Sequence, residues 1–109
     1  MPGRVKTPRA ADWTEKGTSG SGAAQTLSHA AVADLKHYIC GITAGAPAAG
    51  IFQVSINDHT TEIWTTVAHN SVSVAFPNPI ECRAGKKADL VGALVGGQTT
   101  EATIWGYSL

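Results

Sequence analysis

Charge is scarce in this chain. Only 15% of its 109 residues are Asp, Glu, Lys or Arg, and the eight acidic and eight basic side chains cancel at neutral pH. A dedicated nucleic-acid binder carries a basic surplus to neutralise phosphates, so zero net charge argues against that partner. It also leaves little self-repulsion to keep copies apart, which favours association. Cysteine occurs only at Cys40 and Cys82, and the four histidines are scattered. No C-x-x-C zinc pattern exists, and no metal or other cofactor is expected. The two thiols are expected to be buried and to act as small apolar groups, while a disulfide is neither demanded nor forbidden by their spacing. No apolar run reaches about 18 residues, so no helix is expected to cross a membrane. The N-terminus lacks the apolar core of a secretory signal, so synthesis and folding in a cytoplasm are expected.

Small and β-prone residues are abundant. Hydrophobic residues make up 43% and glycine numbers 12, alongside many Thr, Ser, Val and Ala. That mixture suits one modest β-sandwich with many turns. The clearest stretch is GIFQVSINDHTTEIWTTVAHNSVSVAFPNPI, from Gly50 to Ile80. Phe52, Val54 and Ile56 alternate with Gln53, Ser55 and Asn57, the period of a half-buried strand. Asn57-Asp58-His59-Thr60 reads as a turn. The chain returns with Ile63, Thr65 and Val67 on one face and Trp64 and Thr66 on the other. Val72, Val74 and Phe76 then alternate with Ser71, Ser73 and Ala75, and Pro77-Asn78-Pro79 is expected to end that strand.

The flanks add more strands. Leu35 to Thr43 reads as a strand with Tyr38, Cys40 and Ile42 on one face and His37, Ile39, Gly41 and Thr43 on the other; Gly41 suggests a bulge or a close backbone approach. Ala88 to Val95 reads as a strand apolar on both faces, and Gly96-Gly97 as a turn. The last strand has Ala102, Ile104 and Gly106 on one side and Thr103, Trp105 and Tyr107 on the other. The Ala-rich segment 23–33 is read as extended chain entering the sandwich. The count is seven to eight strands, an all-β antiparallel sandwich for which a jelly roll is one available form. Its domain covers residues 23–109.

Residues 1–22 have a different composition. Arg4, Lys6, Arg9 and Lys16 oppose Asp12 and Glu15, a net of 4 − 2 = +2, whereas the remainder carries 4 − 6 = −2. Pro2, Pro8 and the run Gly17 to Gly22 disfavour regular structure, so an extended N-terminal arm is expected. Either its own domain or a neighbour should hold it, with Trp13 as the buried anchor.

No catalytic set stands out. A Ser/His/Asp trio can be drawn from almost any Ser-rich chain, and no G-x-S-x-G turn supports one here. His59 beside Asp58 reads as a solvated turn. Asn57, Asp58 and Glu62 lack the periodic oxygens of a calcium loop, and no G-K-[ST] follows the glycines. Lys86-Lys87 reads as a solvated turn. Trp64, Trp105 and Tyr107 have the ring chemistry to stack on sugars or bases, but at strand spacing core or subunit-interface packing is expected. The chain is read as non-enzymatic.

Several segments together carry a resemblance. They are Lys36-His37-Tyr38-Ile39-Cys40-Gly41-Ile42-Thr43, Ile63-Trp64, Phe76-Pro77-Asn78-Pro79-Ile80, Ala84-Gly85-Lys86-Lys87-Ala88 and Gly106-Tyr107. Over roughly residues 28–109 the pattern resembles the small β-sandwich decoration (cement) proteins of tailed-bacteriophage capsids. The resemblance implies a virion protein on the outer capsid surface, a homotrimer that binds the major capsid protein and steadies contacts between capsomers. The arm lies outside that pattern; its Gly/Ser hinge and +2 charge are what lead Arg4, Lys6, Arg9 and Trp13 to be expected against the capsid or an adjacent copy. Apolar residues on both faces of several strands lead at least one of Trp64, Trp105 and Tyr107 to be expected at a subunit contact. Two other functions are open: a tail- or fibre-associated adhesion module that binds a host glycan, and a secreted lectin-like sandwich, which the missing signal segment disfavours.

Overall fold

The computed structural model describes residues 11–19, 25–46, 50–94 and 100–109, and the statements below concern those residues. They form β1 (Trp13–Ser19), β2 (Gln25–His29), β3 (His37–Gly45), β4 (Ile51–Asp58), β5 (Thr61–His69), β6 (Ser71–Glu81), β7 (Ala88–Leu94) and β8 (Thr100–Ser108). No helix occurs among the described residues.

The pairing follows one rule. The first strand pairs with the last, the second with the seventh, the third with the sixth and the fourth with the fifth, all antiparallel. The chain is therefore a long two-stranded ribbon doubled back at the β4–β5 turn. Sideways pairing of β3 with β8 and of β4 with β7 rolls that ribbon into two sheets, β1-β8-β3-β6 and β2-β7-β4-β5. This is the topology of a jelly roll. Between the sheets, β5 and β6 pair only through His69 and Ser71, at a corner made by Asn70. Asn70 adopts φ 64°, a left-handed conformation that Asn tolerates. Its amide donates to the Gly50 carbonyl at 2.6 Å, and its side-chain oxygen accepts from the Gly50 amide at 2.9 Å.

The core lies between the sheets. Ile39, Ile42 and Ile104 from one sheet and Val54, Ile56 and Leu90 from the other are completely buried. Each contributes about 1.5–3 kcal/mol by leaving water.

The structure corrects four expectations. In β3 the simple alternation breaks at Cys40. Ile39 pairs with Gly106 and Gly41 with Trp105, so Cys40 is an extra residue, a bulge that shifts the phase. His37, Ile39, Ile42 and Ala44 are consequently buried, and Gly41 shares a face with Tyr38 and Thr43. In β6 the prolines do not end the strand. It continues to Glu81, and the partner register jumps from Ala75 to Ile80, so Phe76 to Pro79 form a bulge without partners on β3. Because this edge of β6 lacks a second full partner, the missing proline N–H groups break no ladder there. Asp58 is not a solvated turn residue. It closes β4 as a buried group, and the turn is His59-Thr60, with His59 at φ 61°. Finally, the proposed arm at residues 1–22 includes a strand. Trp13–Ser19 pairs with β8 along its whole length, so the sandwich begins at Trp13, not at residue 23. Arg4, Lys6 and Arg9 lie outside the described residues.

Candidate functional site

Polar and aromatic side chains gather at the end of the sandwich where β1 faces β2. Alternation along β1 turns Trp13 and Glu15 inward, opposite Gly106 and Ile104. Gly106 is required there. A Cβ on it would overlap the Tyr38 carbonyl and press on the Trp13 ring. The Trp13 indole stacks on the His29 imidazole, with centroids 3.9 Å apart and planes at 8°. His29 Nδ1 lies 2.7 Å from Glu15 Oε2. His37 meets both rings edge-on, at 5.7 Å from Trp13 and 4.6 Å from His29.

The proton positions follow from the partners. His37 Nε2 is 2.8 Å from the Ala30 carbonyl, which only accepts, so Nε2 carries the proton. Nδ1 then accepts from the Ser108 hydroxyl at 2.6 Å, and Ser108 Oγ accepts from the Trp13 indole N–H at 3.1 Å. Burial is the main cause that lowers the His37 pKa; the Ala30 carbonyl raises it and nearby His29 lowers it. A serine hydroxyl on an imidazole resembles a nucleophile and its base. Here the imidazole is wholly buried and the chain Trp13, Ser108, His37, Ala30 is internally satisfied. The arrangement fastens β1, β3 and β8 to the segment that follows β2.

The outer face of the β1-β8-β3-β6 sheet is different in character. Tyr38 and Tyr107 stack at 5.1 Å and 13°. Next along the strands, the Trp105 ring covers Gly41, where a Cβ would overlap it. Thr43 pairs with Thr103, and Gly45 with Glu101. At that end Thr43, Gly45, Ser71, Ser73 and Glu101 surround a shallow groove of about 510 Å³, with Ala44 and Val72 completing its lining.

A third cluster is a staple. The Asp58 side chain is 2% exposed and accepts from Arg83 at Nε (2.9 Å), at Nη2 (3.0 Å) and at the backbone amide (3.1 Å). The side-chain hydrogen bond from Arg83 is the main cause that lowers the Asp58 pKa; burial opposes it. Glu62 bonds to Ser55 at 3.0 Å, so Asp58 and Glu62 serve different partners and do not share a site. Cys82 beside this staple is completely buried, and burial pushes its thiol up to about 12. Cys40 and Cys82 are not joined.

The residues expected at interfaces separate. Trp13 is held by its own domain, on His29 and Ser108. Trp64 shares the inner face with Ile56 and meets Phe76 edge-on at 5.2 Å and 82°, so it packs against the core. Tyr107 is 5% exposed, beside Tyr38. Trp105 is half-buried on the outer face. The cluster of Glu15, His29, His37 and Ser108 was not predicted, since its members lie on four different strands. The one signal for it is a histidine within the apolar strand at His37.

No family model matches the chain, and no characterised protein matches it either.

Proposed function

We propose that the chain is a structural virion protein, a decoration or cement subunit on the outer surface of a tailed-phage capsid, made in the host cytoplasm. It acts without catalysis, by binding the major capsid protein and further copies of itself as a homotrimer. The reading is supported by the residue pattern across β3, β5, β6, the turn before β7, and β8. The observation that carries it is the apolar surface on both outer faces of the jelly roll. Ile51 and Val67 are 67% and 56% exposed on the β4–β5 side, and Trp105 is half-buried on the opposite sheet. Large apolar groups left outside a small core mark contact surfaces. Of the three aromatics expected at a subunit contact, Trp105 is the one whose outer-face position suits that role. Weak contacts repeated on a lattice reinforce one another through effective concentration.

The test is capsid occupancy. Arg4, Lys6 and Arg9 precede β1, so a truncation that removes residues 1–10 spares the strand, whereas one that removes 1–22 would not. The shortened protein is expected to fold and to occupy capsids less fully. Binding of the intact chain should weaken as salt rises. Equal occupancy with and without residues 1–10 would contradict the role given to them, and no binding to capsids by the intact chain would contradict the function.

A further inference from the structure

The two glycines on the outer face of β3 stand in opposite situations. Gly41 has no room for a side chain, because Trp105 and the Val74 carbonyl fill the space. Gly45 has open space among the described residues: a Cβ there meets none of their atoms within 4 Å, and its φ is not among the positive ones. Neither packing nor backbone conformation calls for glycine at that position. What its missing side chain does is keep the groove open.

We propose that this groove, at the Gly45 end of β3, β6 and β8, binds a neutral carbohydrate. Its walls determine the chemistry. Thr43, Ser71 and Ser73 offer hydroxyls, which donate and accept as sugar hydroxyls do. Glu101 is exposed and pairs in register with Gly45, so its carboxylate stands beside the open floor. A carboxylate has acceptor sites for two neighbouring sugar hydroxyls. Among the described residues that line the groove none is basic, so a phosphate or sulfate would meet Glu101 with no counter-charge from them. Ala44 and Val72 complete the lining, and the exposed surface of the groove is more apolar than polar, so the carbon face of a sugar ring can rest on it while its hydroxyls meet the polar groups. The volume of about 510 Å³ lies in the range of small-ligand sites. Thr103 and the Trp105 ring continue the same face, so a longer saccharide has a hydroxyl and an aromatic surface to run along. An open groove of this kind holds one sugar weakly, and many copies on one particle would add avidity.

The test is an amide chemical-shift titration of the intact chain with the methyl glycosides of glucose, galactose, mannose and N-acetylglucosamine. At least one is expected to give saturable shifts in the millimolar range, centred on Thr43, Gly45, Ser73 and Glu101. Gly45→Leu fills the groove, and Glu101→Gln removes the charged acceptor. Each should weaken binding at least about fivefold while the remaining spectrum stays that of the folded wild type, a loss of about 1 kcal/mol. The proposal is overturned if none of the four gives a saturable shift, if the shifts fall elsewhere on the molecule, or if Gly45→Leu binds as the wild type does. Capsid occupancy is measured without sugar, so failure here is distinguishable from failure of the virion role.

Discussion

The Trp105 ring lies over the bare backbone of Gly41 on the neighbouring strand, in the space a Cβ would take. Gly41→Ala must displace either the indole or the Val74 carbonyl, and overpacking of this kind costs about 1–3 kcal/mol. Gly45→Ala meets none of the described residues and should be neutral or stabilising by a few tenths of a kcal/mol, since strand glycine is entropically unfavourable. Urea unfolding of both variants checks the pair, and equal midpoints would show that Trp105 does not depend on Gly41.

Acid should loosen the fold in two stages. His37 is neutral in the fold and its pKa lies below the ordinary 6.5, so the unfolded chain takes up its proton first. Its contribution is complete above pH 6.5 and is lost as pH falls toward the lower folded value. Asp58 titrates later. Its folded pKa lies below 3.8, so its contribution is present above that value and is lost as pH falls through the lowered one. Thermal unfolding as a function of pH should show both limbs. His37→Gln should flatten the upper limb alone, and Asp58→Asn the lower one.

At neutral pH, Asp58→Ala removes three hydrogen bonds from Arg83 and strands its backbone amide. The expected loss is about 1–3 kcal/mol. Ser108→Ala leaves His37 Nδ1 and the Trp13 N–H without their shared partner, at a cost of about 1 kcal/mol. Because Ser108 ties down β1, hydrogen exchange in Trp13–Ser19 should accelerate more than in β4 or β5. A uniform acceleration would show that the clasp has no local role.

Cys82 should resist alkylation in the folded protein at mildly alkaline pH, since it is buried and its thiol is pushed up to about 12. Intact-mass measurement should find at most one label before denaturation and two after it. Rapid double labelling of the native chain would contradict the burial.

Much of the sandwich was legible because strand alternation is local. Val54 against Gln53, Val74 against Ser73 and Ile104 against Thr103 fall on opposite faces, as their alternation requires. The misses involve partners distant in sequence. The phase shift at Cys40 depends on its register against β8, and the prolines of β6 are tolerated because they bulge from a sheet edge. Asp58 looked like a turn residue until Arg83, 25 positions away, met it. The Gly/Ser composition after Lys16 concealed β1, whose stability comes from β8 and from the rings of Trp13 and His29. The candidate groove was illegible for the same reason, since β3, β6 and β8 each supply part of it.

The most direct measurement of the virion role is the number of copies of this chain per purified particle, by quantitative mass spectrometry against the major capsid protein. A decoration subunit is expected in proportion to the capsomers, far above the level of tail components. A count at the level of tail or fibre proteins, or none in the particle, would contradict the account.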